Sequence, residues 1–300
     1  MKLVTWNTQW CKGLDEIVSA QRIVDGAHAM GDFDVLCLQE IAQNYPSLTG
    51  DTAADQPAEI ARLLPDFEVV FGAAIDELPL EQPLGQPQGQ PSRQRFGNLI
   101  ASRLPILQIQ HLYLPSPTPS PINQGSAHAW MPRQCTVCTV QADWGPVRIM
   151  TTHLEYHSEL QRLAQAQALR HWHQMFCEQQ KAGALVDPNE SGTPYQTKPY
   201  TADAILCGDC NFEPHSDPYE ALTSLEHDHP FHDAWTLLNP DEPHPPTFRL
   251  YDDTYGPDAV SCDFCFLSET LAPKLKHIAV DTTTQVSDHQ PVMIEFSQTP

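Results

Sequence analysis

Short apolar segments, some alternating with polar residues and some unbroken, punctuate the chain and are separated by proline-rich stretches. Leu3–Asn7 alternates and predicts a strand, and Val35–Gln39 is an apolar run of the kind that forms a buried strand. The same pattern predicts strands at Glu68–Gly72, Asn98–Ser102, Ile106–Leu112, Gln134–Ala142, Val147–His153, Ala204–Gly208, Cys262–Leu267, Lys276–Asp281 and Val292–Phe296. Helical spacing marks Asp15–Met30, where Leu14, Ile17, Val18, Val24 and Ala27 fall near the 3.6-residue period. Ala58–Leu64 predicts a short helix. Glu159–Gln180, rich in Ala, Leu and Gln, predicts the longest one, with Leu160, Leu163, Ala164, Gln167 and Ala168 as its buried stripe. Many short strands with a few helices between them predict an α/β protein: two packed sheets flanked by helices.

Pro79–Pro91, Pro115–Pro121, Gly183–Pro199 and Pro240–Pro246 are loops by composition, because proline cannot serve a central strand. Loops of this length either shape a site or decorate the surface. There is no repeat and no clean boundary, so residues 1–300 are expected to form one domain.

Composition narrows the class. Hydrophobic residues make up 41 % of the chain, enough for a core. No apolar run approaches the roughly 20 residues that span a bilayer, and Met1–Asn7 lacks the apolar stretch of a secretory leader. The expectation is a cytoplasmic monomer that does not engage a membrane. The 38 acidic residues against 16 basic ones give a formal charge of −22. Such a surface repels long polyanions and argues against extended nucleic-acid binding, although a bound cation can reverse the local sign.

Three CxxC pairs, Cys135/Cys138, Cys207/Cys210 and Cys262/Cys265, invite a zinc reading. Each lies in a strand or at a strand end, where residues i and i+3 point to opposite faces. Buried free thiols are the expected state.

The polar residues at strand ends are more informative. Asn7 ends the first strand, Glu40 follows Val35–Gln39, His153 ends Val147–His153, and Asp209 and Asn211 follow Ala204–Gly208. Asp288 and His289 directly precede Val292–Phe296, and Asp263 stands in an otherwise apolar segment where an unpaired carboxylate is costly. Brought to one rim, these residues make an oxygen-rich site with two imidazoles. Mg²⁺ prefers such oxygen ligands, an Asp can orient or deprotonate water, and a histidine held by a buried Asp can answer charge developing on phosphorus-bound oxygens.

The words Thr5-Trp-Asn7, Leu38-Gln-Glu40, Gly97-Asn98-Leu-Ile-Ala-Ser102, Thr152-His-Leu154, Gly208-Asp-Cys-Asn211 and Ser287-Asp-His289 stand in an order that spans nearly the whole chain. In that order the sequence resembles the endonuclease/exonuclease/phosphatase superfamily, which includes deoxyribonuclease I. The resemblance implies a four-layer sandwich of two mixed β-sheets between helices, and Mg²⁺-dependent hydrolysis of a phosphate ester or phosphodiester, with Mn²⁺ able to substitute. It implies Asn7, Glu40 and Asp288 at the metal, and Asp209 as the base or water-positioning group. Asn211 and His289 would contact phosphate, with Asp263 orienting His289; His153 would face the phosphate or leaving group, and Asn98 would stand at the rim. Ser261 replaces an arginine that many members carry, and Gln9 an acidic residue found in some. A nuclease with the same chemistry and a binding protein using its proline-rich loops as polyproline ligands are the competing readings.

Overall fold

The computed structural model describes residues 1–51, 54–79, 92–117, 131–183 and 188–297. The first half runs β1 (Lys2–Asn7), α1 (Ala20–Ala29), β2 (Val35–Gln43), α2 (Pro46–Thr49), α3 (Gln56–Leu63), β3 (Glu68–Glu77), β4 (Gln94–Ser102), β5 (Ile106–Tyr113) and β6 (Gln134–Ala142). There follow β7 (Gly145–His153), α4 (Glu159–Ala182), β8 (Ala204–Asp209), α5 (Asp217–Thr223), β9 (Phe231–Asp233), α6 (Ala234–Leu238), β10 (Asp263–Ser268), β11 (Leu275–Val280) and β12 (Val292–Phe296).

The strands form two six-stranded sheets, ordered β11-β12-β1-β2-β4-β3 and β5-β6-β7-β8-β10-β9. Both are mixed: β1 and β2 are parallel in the first, β7 and β8 in the second, and the remaining pairs are antiparallel. The inner faces meet in a core that includes Leu3, Val35, Ile100, Val147, Ile205, Leu267 and Ile294. The outer face of the first sheet packs Val4, Trp6, Leu36 and Leu38 with Ile23 and Ala27 of α1 and Ile60 of α3. The outer face of the second packs Val137, Met150 and Leu206 with Leu169 and Phe176 of α4 and Leu222 of α5. Helix, sheet, sheet and helix give the expected four layers.

The alternation that defines the sheets also sorts the cysteines. Cys135 and Cys210 face the helices of the second sheet, whereas Cys138, Cys207 and Cys265 face the core between the sheets. Two thiols of one CxxC pair therefore lie on opposite faces, and all nine cysteines are buried and free.

Several boundaries differ from the sequence reading. The first helix starts at Ala20, not Asp15: the Ser19 hydroxyl accepts from Arg22 N and caps it, and Glu16 upstream holds a left-handed φ of 64°. The stripe of α4 is also shifted. Leu160 is 51 % exposed, while Gln161 and Gln165 are buried and donate to the carbonyls of Pro117 and Pro115. Glutamine tolerates burial once its amide is satisfied, which a hydrophobic pattern does not register. The short elements α2, α5, α6 and β9 have too few residues to show a period. The expected loops at Pro79–Pro91 and Pro115–Pro121 fall largely outside the described residues, as do residues 184–187 of Gly183–Pro199. Pro240–Pro246 is a loop, as expected.

Candidate active site

In each sheet the central pair is parallel, so its two strands finish at the same rim. Asn7 and His153 close β1 and β7, Asp209 closes β8, and Glu40 leaves β2 where the register shifts between Leu38 and Ile41. Glu40 takes a left-handed φ of 61° in that bulge, a conformation uncommon for a side-chain-bearing residue and frequent next to active sites. The rim also collects the starts of strands that run antiparallel to these. Asp263 opens β10 directly opposite Asp209, and Arg133 immediately precedes β6.

Hydrogen bonds lock the two rims together. Asn7 Nδ2 donates to Asp209 Oδ2 at 2.8 Å and reaches Glu40 Oε1 at 3.3 Å. Asp209 Oδ1 accepts from the backbone N–H of Asn211 at 2.9 Å, and the Asn211 amide donates to Leu154 O. Behind them, Gln39 Nε2 bridges the sheets to Thr151 Oγ1 at 2.8 Å. Gly208 makes this approach possible: at φ +130° a Cβ there would lie 2.0 Å from Thr152 O, so only glycine lets β8 run so close to β7.

The two histidines flank Asp209 but differ in state. His153 Nε2 lies 3.4 Å from Asp209 Oδ2 and its Nδ1 3.7 Å from Glu40 Oε1. Burial and the charge of Arg133 pull its pKa down to about 3, against Asp209, so it is neutral. His289 Nδ1 sits 2.8 Å from Asp263 Oδ2, and its Nε2 3.7 Å from Asp209 Oδ2. Burial alone would lower it, but Asp263 and Asp209 outweigh burial and hold it up to about 10. Phe248 stacks on this ring with centroids 4.3 Å apart, and Trp6 Nε1 donates to its backbone carbonyl. The ring is thus fixed on its Asp263 edge, on its Phe248 face and through its backbone.

Glu40 and Asp288 complete the acidic side. Burial, then Asp288, raises Glu40 to about 7, with His289 and Asn7 opposing and Asp209 adding to the rise. Burial likewise raises Asp288, against His289 and the Ser287 hydroxyl. Two carboxyl groups pushed toward neutrality beside Asp209 form a set that a hard cation would relieve.

These residues line a cleft of about 270 Å³ with Gln9, Trp10, Phe96, Met131, Arg133, Tyr156, Phe248 and Tyr255. A second chamber of about 330 Å³ adjoins it, sharing Tyr156, Asn211 and Phe248 and adding Arg162 and Arg249. Every expected site residue except Asn98 and Asp263 lines the cleft or its rim bonds. Asp263 is buried behind His289. Asn98 is buried between the sheets, its amide donating to Gln134 O at 3.0 Å. Arg133 went unread in the sequence. It is buried, pairs with buried Glu155 at 3.3 Å and keeps Nη1 without a partner. Its signal was the one used for the other residues, a charge at a strand end, applied to the start of an antiparallel strand.

The family model for the endonuclease/exonuclease/phosphatase family matches residues 4–289. This chain belongs to that family. Solved structures of family members share its fold. An endonuclease/exonuclease/phosphatase from Beutenbergia cavernae is 20 % identical, with 98 % of this chain and 70 % of that chain covered at a TM-score of 0.63. A mannosyl-6-phosphatase of Bacteroides thetaiotaomicron is 18 % identical over 99 % of both chains, TM-score 0.60. D. rerio TDP2 complexed with a single-strand DNA product is 16 % identical over 99 % of this chain and 98 % of that one, TM-score 0.59. No curated protein sequence matches the chain. The family and these neighbours are hydrolases acting on phosphate esters. No helix among the described residues is long and apolar enough to cross a membrane.

Proposed function

We propose that this family member is a Mg²⁺-dependent hydrolase of a phosphate ester or phosphodiester, working as a single catalytic unit and as a monomer. The observation that carries this reading is the pair of unlike histidines on either side of Asp209, neutral His153 and charged His289. Glu40, Asn7 and Asp288 would hold the cation, and the raised carboxyl groups fit that role. Mn²⁺ would substitute, being equally suited to oxygen ligands. When bound, the cation neutralises phosphate oxygens and stabilises the leaving oxygen.

The chain's own residues do the rest. Asp209, held by Asn7 and Asn211, orients a water and takes its proton as the water oxygen bonds to phosphorus. The bond from phosphorus to the leaving oxygen breaks as this bond forms. His289 carries the Nε2–H that donates to a phosphoryl oxygen, and Asp263 keeps it charged. His153, neutral, offers a hydrogen bond from the other side. Arg133 supplies a fixed positive charge whose unpartnered N–H suits a phosphate oxygen. Asn98 acts from behind, holding Gln134 and so the start of β6.

A substrate of limited length fits best. The chain carries a charge of −22, yet three of its ten arginines, Arg133, Arg162 and Arg249, line the two joined chambers. These three guanidinium groups meet at a short cleft, which suits a compact phosphate ester over a long duplex. The test is a panel of sugar phosphates, small phosphodiesters and short oligonucleotides, assayed with Mg²⁺ and with chelator. Chelator-sensitive turnover of a compact ester is expected. Preference for oligonucleotides would favour the nuclease reading, and failure to cleave any member would overturn the proposal.

A further inference from the structure

Asp209 and His289 of the site just described also belong to a set of ligand atoms of a different chemical character. One ligand atom from each of Asp209, Cys262 and His289 lies within 4.8 Å of the others, and all three residues are buried. Carboxylate, thiol and imidazole form a set that soft or borderline cations such as Zn²⁺ and Cd²⁺ select, whereas Mg²⁺ prefers the oxygens of Glu40, Asn7 and Asp288.

We infer that Cys262, Asp209 and His289 form a capture site for a thiophilic divalent cation, and that its occupancy shuts off the hydrolytic centre.

Two features support this beyond proximity. First, His289 already has the hydrogen bond that a metal-bound histidine needs. Nδ1 is engaged by Asp263 Oδ2 at 2.8 Å, which leaves Nε2, the nitrogen facing Asp209, as the ligand atom. A carboxylate behind a metal-binding imidazole fixes its orientation and raises its basicity. Second, Cys262 is not an ordinary core cysteine. Cys37, Cys135, Cys138, Cys207, Cys210 and Cys265 pack in apolar clusters. Cys262 borders the chamber that joins the cleft, and its Sγ lies 3.6 Å from Asp263 Oδ2, the same oxygen that holds His289. Cys262 lines that chamber, and Asp209 and His289 line the cleft that adjoins it, so the three ligands stand where the two spaces meet.

Binding displaces protons in a defined way. The cation forms one bond each to Sγ, to the imidazole nitrogen and to a carboxylate oxygen of Asp209. The thiol releases its proton to solvent, and so does Nε2 where the ring is charged. No electron is transferred. The bound state takes Asp209 away from water and removes the Nε2–H from phosphate, so inhibition follows from the same two residues that the proposed hydrolysis uses. Binding itself does not depend on that reading, because it is measured without substrate.

The test is a titration of the purified protein with Cd²⁺, followed by the ultraviolet thiolate-to-metal charge-transfer band. One Cd²⁺ per chain is expected. Cys262→Ser should abolish the band and weaken binding by more than about tenfold, since outer-shell changes alone shift metal affinity by that much. Cys210→Ser, a neighbouring thiol on the helix side of the second sheet, should keep the band. X-ray absorption of the wild-type protein with one equivalent of Zn²⁺ is the readout that needs no variant. One sulfur with nitrogen and oxygen neighbours is expected. A sulfur-free zinc environment, or a charge-transfer band that survives Cys262→Ser, would overturn the inference. With substrate and Mg²⁺ present, Zn²⁺ should inhibit the wild type at lower concentration than Cys262→Ser. Strong Cd²⁺ binding in a protein that hydrolyses no phosphate ester would leave the capture site standing and refute only the proposed function.

Discussion

His153 and His289 stand 3.4 and 3.7 Å from the same oxygen of Asp209, yet one is held neutral and the other charged. The difference comes from what lies behind each ring: Arg133 acts on His153, Asp263 on His289. Activity should therefore fall as pH rises through about 10, where His289 loses its proton. Glu40 adds a second dependence. Its carboxyl is raised to about 7, and a cation must displace its proton, so the Mg²⁺ concentration for half-maximal rate should decrease as pH rises through about 7. Saturating Mg²⁺ should flatten that limb. Glu40→Gln should remove this dependence and cut turnover by orders of magnitude, because metal stabilisation is worth several kcal/mol. A Mg²⁺ requirement that is independent of pH, or unchanged turnover in Glu40→Gln, would count against Glu40 as a ligand.

At the scale of elements, two parallel strand pairs set the site, and Gly208 sets how closely one pair runs. Gly145 offers a matched control. It has the same φ of +130°, but a Cβ there meets nothing within 4 Å, whereas at Gly208 it meets Thr152 O at 2.0 Å. Both alanine variants carry backbone strain of about 1–3 kcal/mol. Gly208→Ala should melt well below Gly145→Ala and lose activity, because the clash separates His153 from Asp209. Equal melting temperatures would show that β7 and β8 tolerate the separation. Much of this arrangement was legible in the chain. The strand ends at Asn7 and His153, the place of Asp209 directly after Ala204–Gly208, and the opposite facing of Cys135 and Cys138 follow from the apolar runs and their period-2 alternation. What hid was set by other forces. The start of α1 depends on a Ser19 cap, the face of α4 on glutamines whose partners lie in a distant loop, and the place of Arg133 on strand direction. None of these leaves a hydrophobic period.

For the whole molecule, acid is the revealing condition. His153 and His173 are both buried and pulled down to about 3, chiefly by burial and then by a neighbouring arginine. In the unfolded chain they titrate near about 6.5. Below that pH the unfolded state binds more protons than the folded one, so each contributes stability that is present above about 6.5 and is lost as pH falls toward 3. Glu40, raised to about 7, works the other way, since its folded form takes up the proton first. The difference between wild type and His173→Phe isolates one histidine. Phenylalanine keeps the stack on Phe231, now at 4.3 Å between centroids, and has nothing to titrate. The melting temperature of wild type should drop relative to His173→Phe as pH falls below about 6.5. A constant difference across that range would mean that His173 is not held neutral.

Asp209 is the residue that Asn7, Asn211 and both histidines converge upon. Its direct test is kcat/KM of Asp209→Asn against wild type, in Mg²⁺, on the best compact ester found by the panel. Asparagine keeps the size and the hydrogen bond from the Asn211 backbone but cannot take a proton. A loss of about 10²–10⁴-fold, with the melting temperature nearly unchanged, is the result expected of a positioned base. Wild-type kcat/KM in Asp209→Asn would contradict the assignment.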